Sequence, residues 1–179
     1  MRSTALLLAL SSFSLSLWAQ PAMPRKAPEL TIVEASGKQT LLSSYRGKVV
    51  VLAFIFTTCP HCQAETQVLT KLNTELGPKG FQPLAVAFND NAKMLINAFV
   101  NTFRPNFPVG SAVRQTVTDY LQLSDADPWV VPQIVVIDKK GMIVAQSAPK
   151  GTEDLQLEDK LRTRISGMLG SVTSRKTGL

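Results

Sequence analysis

Cysteine and histidine are almost absent from this 179-residue chain, which has two of the first and one of the second. A framework of several disulfides is thereby excluded. So is a structural zinc site, which needs about four ligands where only these three soft or borderline donors exist. Charged residues are sparse at 18%, against 45% hydrophobic residues, which excludes a disordered chain. Bases outnumber acids, for a formal net charge of +6. They fall in scattered pairs, such as Lys139-Lys140 and Arg175-Lys176, with no stripe of interleaved aromatics, so nucleic acid is not an expected partner. After the first 20 residues no apolar run reaches the roughly 20 residues of a transmembrane helix. No internal repeat is present.

What is there begins with a leader. Met1-Arg2 is a short positive start, an apolar and Ser-rich run follows from Ala5 to Trp18, and small residues come next at Ala19 and Ala22. This is the layout of a secretory signal peptide over residues 1–22, with an uncleaved membrane anchor as the alternative. No cysteine precedes Cys59, so a lipoprotein is not expected. Residues 23–28 read as a flexible lead-in, 29–170 as one domain and 171–179 as a loose tail. The expected location is outside the cytoplasm, in a bacterial periplasm, and the expected form is a monomer.

Hydrophobic patterning gives the element order. Glu29 to Val33 and Gln39 to Leu42 suit short strands. Val49 to Phe56 is an unbroken β-branched and aromatic run, the mark of a strand buried on both faces. Thr58 is placed to cap a helix running from Cys59 to Leu76, with Pro60 in its first turn and Val68, Leu69, Leu72 and Leu76 on one face. A strand over Phe81 to Ala87, a helix from Asn89 to Arg104, a short strand over Phe107 to Val109 and a helix over Val113 to Leu121 follow. Ile134 to Ile137 and Met142 to Gln146 form a hairpin, and Leu155 to Met168 a closing helix. Strands alternating with helices predict an α/β fold: a mixed sheet, mostly parallel, with helices on both faces.

Both cysteines and the histidine lie in one stretch, "CPHC", from Cys59 to Cys62. A structural disulfide across a two-residue gap would constrain the unfolded chain little, because its entropic effect grows with loop length. A redox role is the better reading. Cys59 sits where a buried strand meets a helix start, whose unpaired N–H groups and dipole stabilise a thiolate, the attacking form. Cys62, one turn on, resolves the mixed disulfide formed at Cys59. Pro60 and His61 between them are the expected tuners of redox poise, His61 by offering a hydrogen bond or positive charge to the Cys59 sulfur. The redox-active Cys59–Cys62 disulfide itself is the only redox group expected; no separate cofactor or metal is.

Three stretches with their spacing, "LLSSYRGKVVVLAF", "CPHCQAE" and "VVPQIVVIDKKGMIV", resemble the TlpA/ResA-like branch of exported thiol-disulfide oxidoreductases over roughly residues 27–168. The resemblance implies a thioredoxin-like three-layer sandwich. It implies that Pro132 is a cis-proline facing the dithiol and that the backbone of Val131 pairs with substrate. It also implies that Glu65 is a partly buried glutamate serving proton transfer at Cys62, with which it shares a helix face. Clients would be protein thiols or disulfides of exported proteins, apocytochrome c among them, recycled by a membrane or periplasmic redox partner. The chain departs from the pattern at Thr58, where the family usually has Trp, and at Gln67, where many members have Pro. Ala53 stands where thioredoxins carry a buried Asp. Trp129 is the candidate replacement for the missing aromatic wall, or else a core residue.

Two rivals share parts of this pattern. A DsbA-type disulfide oxidase has the same Pro-His pair, but inserts a helical domain before its cis-proline. A Sco-like copper chaperone shows a similar look around "FTTCPHC", but uses a longer cysteine spacing and a distant histidine. A peroxiredoxin is a weaker match, with Phe56 where a threonine is expected three residues before the attacking cysteine.

Overall fold

The computed structural model describes residues 21–124 and 128–170, apart from the side chain of Glu153. The expected leader and tail fall almost wholly outside them. The strands are β1 (Arg25–Lys26), β2 (Thr31–Glu34), β3 (Gln39–Leu41), β4 (Val49–Ile55), β5 (Phe81–Ala87), β6 (Val109–Ser111), β7 (Gln133–Ile137) and β8 (Met142–Gln146). The helices are α1 (Pro60–Leu76), α2 (Ala92–Phe103), α3 (Arg114–Leu121), α4 (Glu153–Gln156) and α5 (Glu158–Gly170). No helix among the described residues is long and apolar enough to cross a membrane.

All eight strands form one sheet in the order β1-β8-β7-β4-β5-β6-β2-β3. β4 lies at its centre, parallel to β5 and antiparallel to β7. Alternation along these strands explains the layers. Val49, Val51, Ala53 and Ile55 of β4 face a core built with α1, α2 and α5. Val50, Leu52 and Phe54 face a second core closed by Val117, Tyr120 and Leu121 of α3. A strand covered on both faces has no polar side to present, which is why Val49–Ile55 reads as a continuous apolar run and is buried at every residue. The fold is the expected thioredoxin-like sandwich with a mixed sheet, but the sheet is not mostly parallel. Only β4–β5 and β5–β6 run parallel, and the other five pairings are antiparallel because the terminal strands return through hairpins and long connections.

Four local expectations are corrected. Arg25 and Lys26, read as flexible lead-in, pair with Ile143 and Met142 as an edge strand. Arg25 holds this start in place by donating to Tyr120 O at 3.0 Å and Gln146 Oε1 at 2.7 Å. The N-cap of α1 is Cys59 rather than Thr58, with extended backbone and no side-chain capping bond. The sixth strand starts at Val109 rather than Phe107; Pro108 just before it has no N–H for a ladder. The closing helix is broken at Leu157. Leu155 and Leu161 are both buried, yet residues six apart on one helix point about 120° away from each other, so a break is needed to bury both.

Between β5 and Pro132 the described chain holds only α2, β6 and α3. The inserted helical domain of the DsbA-type reading is not among the described residues.

Candidate active site

β4 ends at Ile55 and α1 starts at Pro60, so the dithiol sits at the carboxyl end of the central strand. The turn between them is clamped by side chains. Asn89 Oδ1 accepts from Thr57 N at 2.9 Å and from Thr57 Oγ1 at 3.2 Å, while Gln63 Nε2 donates to Thr57 O at 3.0 Å. Pro60 takes the first helical position, where no amide donor is required.

The two thiols differ sharply. Cys59 is partly exposed and its Sγ lies 3.9 Å from Val131 O. Cys62 is fully buried, and its Sγ accepts from Phe56 N at 3.4 Å. Burial pushes the Cys62 thiol far above the ordinary range. The Phe56 N–H opposes that shift, and Cys59 and Glu65 reinforce it.

Glu65 is one turn further along α1, only 4% exposed. Its Oε1 is buried without a hydrogen-bond partner. Desolvation raises its pKa to about 8, so near neutral pH the carboxyl is mostly protonated and within easy reach of ionisation. A proton carrier operating at that pH needs this property.

The Val131–Pro132 peptide bond is cis. Val131 and Pro132 share a cavity of about 390 Å³ with His61, Glu65, Val68 and Gln156. The structure thus brings Cys59, Cys62, Glu65, Val131 and Pro132 together. Pro60 and His61 are exposed at the helix start, and among the described residues His61 has no hydrogen-bond partner. Trp129 does not line that cavity. It stacks on Phe88 at 5.3 Å with the Arg114 guanidinium 5.0 Å from its ring, on the α3 side of the sheet. Sequence reasoning missed Gln63, Asn89, Gln133 and Gln156. Gln133 alone carried a visible signal, as a polar residue inside the apolar run after Pro132.

A partly exposed thiol at a helix start with a buried second thiol one turn on, beside a cis-proline loop, defines a thiol-disulfide oxidoreductase of the thioredoxin fold. Comparison with known proteins agrees. The chain is 27% identical over 150 residues to the thiol-disulfide oxidoreductase ResA of Geobacillus thermodenitrificans, covering 80% of this chain and 83% of that one. It is 28% identical over 121 residues to the thioredoxin-like protein YneN of Bacillus subtilis, covering 66% and 67%. Among solved structures, a thioredoxin-family thiol:disulfide interchange protein from Chlorobium tepidum superposes with a TM-score of 0.68 at 22% identity, covering 83% of this chain and 99% of that one. The thioredoxin domain of an oxidoreductase from Bacteroides vulgatus gives 0.66 at 23%, covering 83% and 98%. These structures share the fold. Residues 23–146 match the AhpC/TSA family model, and the chain belongs to that family.

Proposed function

We propose that this enzyme is exported and reduces disulfides of other exported proteins, with Cys59 as nucleophile and Cys62 as resolving thiol. The observation that carries the roles is the asymmetry of exposure: Cys59 is open at the helix start and Cys62 is closed off beneath it. The Cys59 thiolate attacks one sulfur of a client disulfide. The client S–S bond breaks, a mixed disulfide forms, and the released client thiolate takes a proton. In the fraction of molecules where Glu65 is ionised, the Cys62 thiol then gives it a proton and attacks the Cys59 sulfur. The Cys59–Cys62 disulfide forms, the second client thiol leaves, and two electrons have passed to the client.

Resemblance to the TlpA/ResA-like branch supports the reducing direction, and a buried Cys62 that resists ionisation supports the need for a base beside it, the role given to Glu65. The leader pattern of residues 1–22 supports export to a periplasm, where a membrane or periplasmic partner would return the electrons. Resemblance to the TlpA/ResA-like branch supports apocytochrome c thiols as one client class.

Cys62→Ser should accumulate mixed disulfides with envelope proteins, and Cys59→Ser should give none, as read on non-reducing gels followed by mass spectrometry. Iodoacetamide should label Cys59 first. Equal trapping by both variants would reverse the assignment. Covalent haem attachment lost on deletion, and restored by the wild-type gene alone, would identify cytochrome c as a client.

A further inference from the structure

We infer that Gln133 and Gln156 are positioning residues for client binding: their side-chain amides occupy the carbonyls on either side of Val131 and leave the Val131 backbone as the edge that meets the client.

Three consecutive carbonyls belong to the loop that meets Cys59, and each has a different partner. Gln133 Nε2 donates to Val130 O at 2.8 Å. Gln156 Nε2 donates to Pro132 O at 3.1 Å. Between them, Val131 O faces Cys59 Sγ at 3.9 Å, its only partner among the described residues. The Val131 N–H has none among them. One residue with an unpartnered N–H and a carbonyl held only by a long thiol contact is a minimal strand edge, able to exchange two hydrogen bonds with an extended peptide. The two glutamines decide which residue that is. If either amide were absent, Val130 O or Pro132 O would lose its partner, and the peptide planes beside Val131 would be free to turn.

Gln133 breaks the local pattern to do this. It is fully buried at the head of a strand that continues Ile134, Val135, Val136 and Ile137, all buried and apolar. Burying an amide is costly unless its hydrogen bonds are made. Its nitrogen has two further acceptors, Ala148 O and Pro149 O, both at 3.3 Å, so it also ties the loop to the chain after β8. Its Oε1 remains buried without a partner. An apolar residue here would avoid that penalty, and the polar one is explained by the carbonyls it holds. Gln156 comes from α4 on the opposite side and is only half-buried, so its substitution tests the idea without disturbing the core.

The inference rests on protein disulfides being the clients. The test is steady-state reduction of a synthetic peptide disulfide by wild type, Gln156→Met and Gln133→Leu, coupled to a dithiol reductant. Gln156→Met should raise KM for the peptide about tenfold, the effect of losing one hydrogen bond's worth of preorganisation, with kcat within about twofold. Gln133→Leu should act in the same direction, provided it folds. An unchanged KM for Gln156→Met, or a matching fall in kcat, would overturn the inference alone. A wild-type enzyme that reduces 5,5′-dithiobis(2-nitrobenzoate) but no peptide disulfide would overturn the protein-client reading and the inference with it.

Discussion

Glu65 shows how one buried side chain links stability to chemistry. Its pKa is raised by desolvation to about 8, whereas an unfolded glutamate titrates near its ordinary 4.5. Between these values the unfolded chain has released a proton that the native protein still holds, so stability falls as pH rises from about 4.5 to about 8 and levels off above. The slope is bounded by about 1.4 kcal/mol per pH unit for one proton. Urea titrations at pH 5 and pH 9 should show a wild-type loss of a few kcal/mol that Glu65→Gln largely removes, while the same variant slows resolution at Cys62. A wild-type loss equal to that of Glu65→Gln would place the titration elsewhere. His61 offers a second test. Its substitution by Ser should make the protein a weaker oxidant if it supports the Cys59 thiolate, on a scale where about 30 mV is a tenfold change in equilibrium. A glutathione titration returning the same potential for both would remove His61 from redox tuning.

At the scale of elements, the sheet depends on one close approach. Gly110 in β6 lies between Val86 of β5 and Glu34 of β2. A Cβ there would come within 2.4 Å of Ile32 Cγ2 and 2.8 Å of Val33 O, and the backbone oxygen cannot give way without moving β2. Gly110→Ala should therefore cost about 1–3 kcal/mol of stability, measured as a shift in denaturant midpoint. Thiol reactivity should be unchanged, because the clash falls on Ile32, in the core on the opposite face of the sheet from Cys62. A neutral effect would mean that β2 is more loosely held than its register implies. The element that does carry the dithiol, α1, is anchored by Leu69, Leu72 and Leu76 on the same buried face as Cys62.

Across the whole molecule, β4 divides the protein into two cores, and only one of them contains a reactive group. Cys62 belongs to the core shared by α1, α2 and α5. Leu72→Ala, on the same helix and fully buried, should cost about 2–5 kcal/mol, read by thermal or chemical unfolding. It should also speed alkylation of Cys62, since the cavity loosens the layer that covers this thiol. Val117→Ala, in the opposite core, should destabilise the protein without changing that alkylation rate. If both variants expose Cys62 equally, the cores open as a unit.

Much of this was readable in the chain because it depends on neighbours in sequence. The apolar run of β4 reports burial on two faces, and the CPHC stretch places two thiols one turn apart whatever surrounds them. The hairpin of β7 and β8 announced itself through Lys139 to Gly141. Residues distant in sequence needed the tertiary structure. Cys59 meets Val131 across 72 positions, and Asn89 reaches Thr57 across 32. Gln156 finds Pro132 only because α4 breaks from α5 at Leu157. No local pattern could identify Cys59 as the N-cap, since its side chain makes no capping bond. Nor could it show β1, two residues long, whose only signal is a partner strand more than a hundred residues away. Local spacing sets which groups can react. Which backbone atoms face them is decided by packing, because hydrogen bonds between remote segments form only once both cores have closed around the sheet.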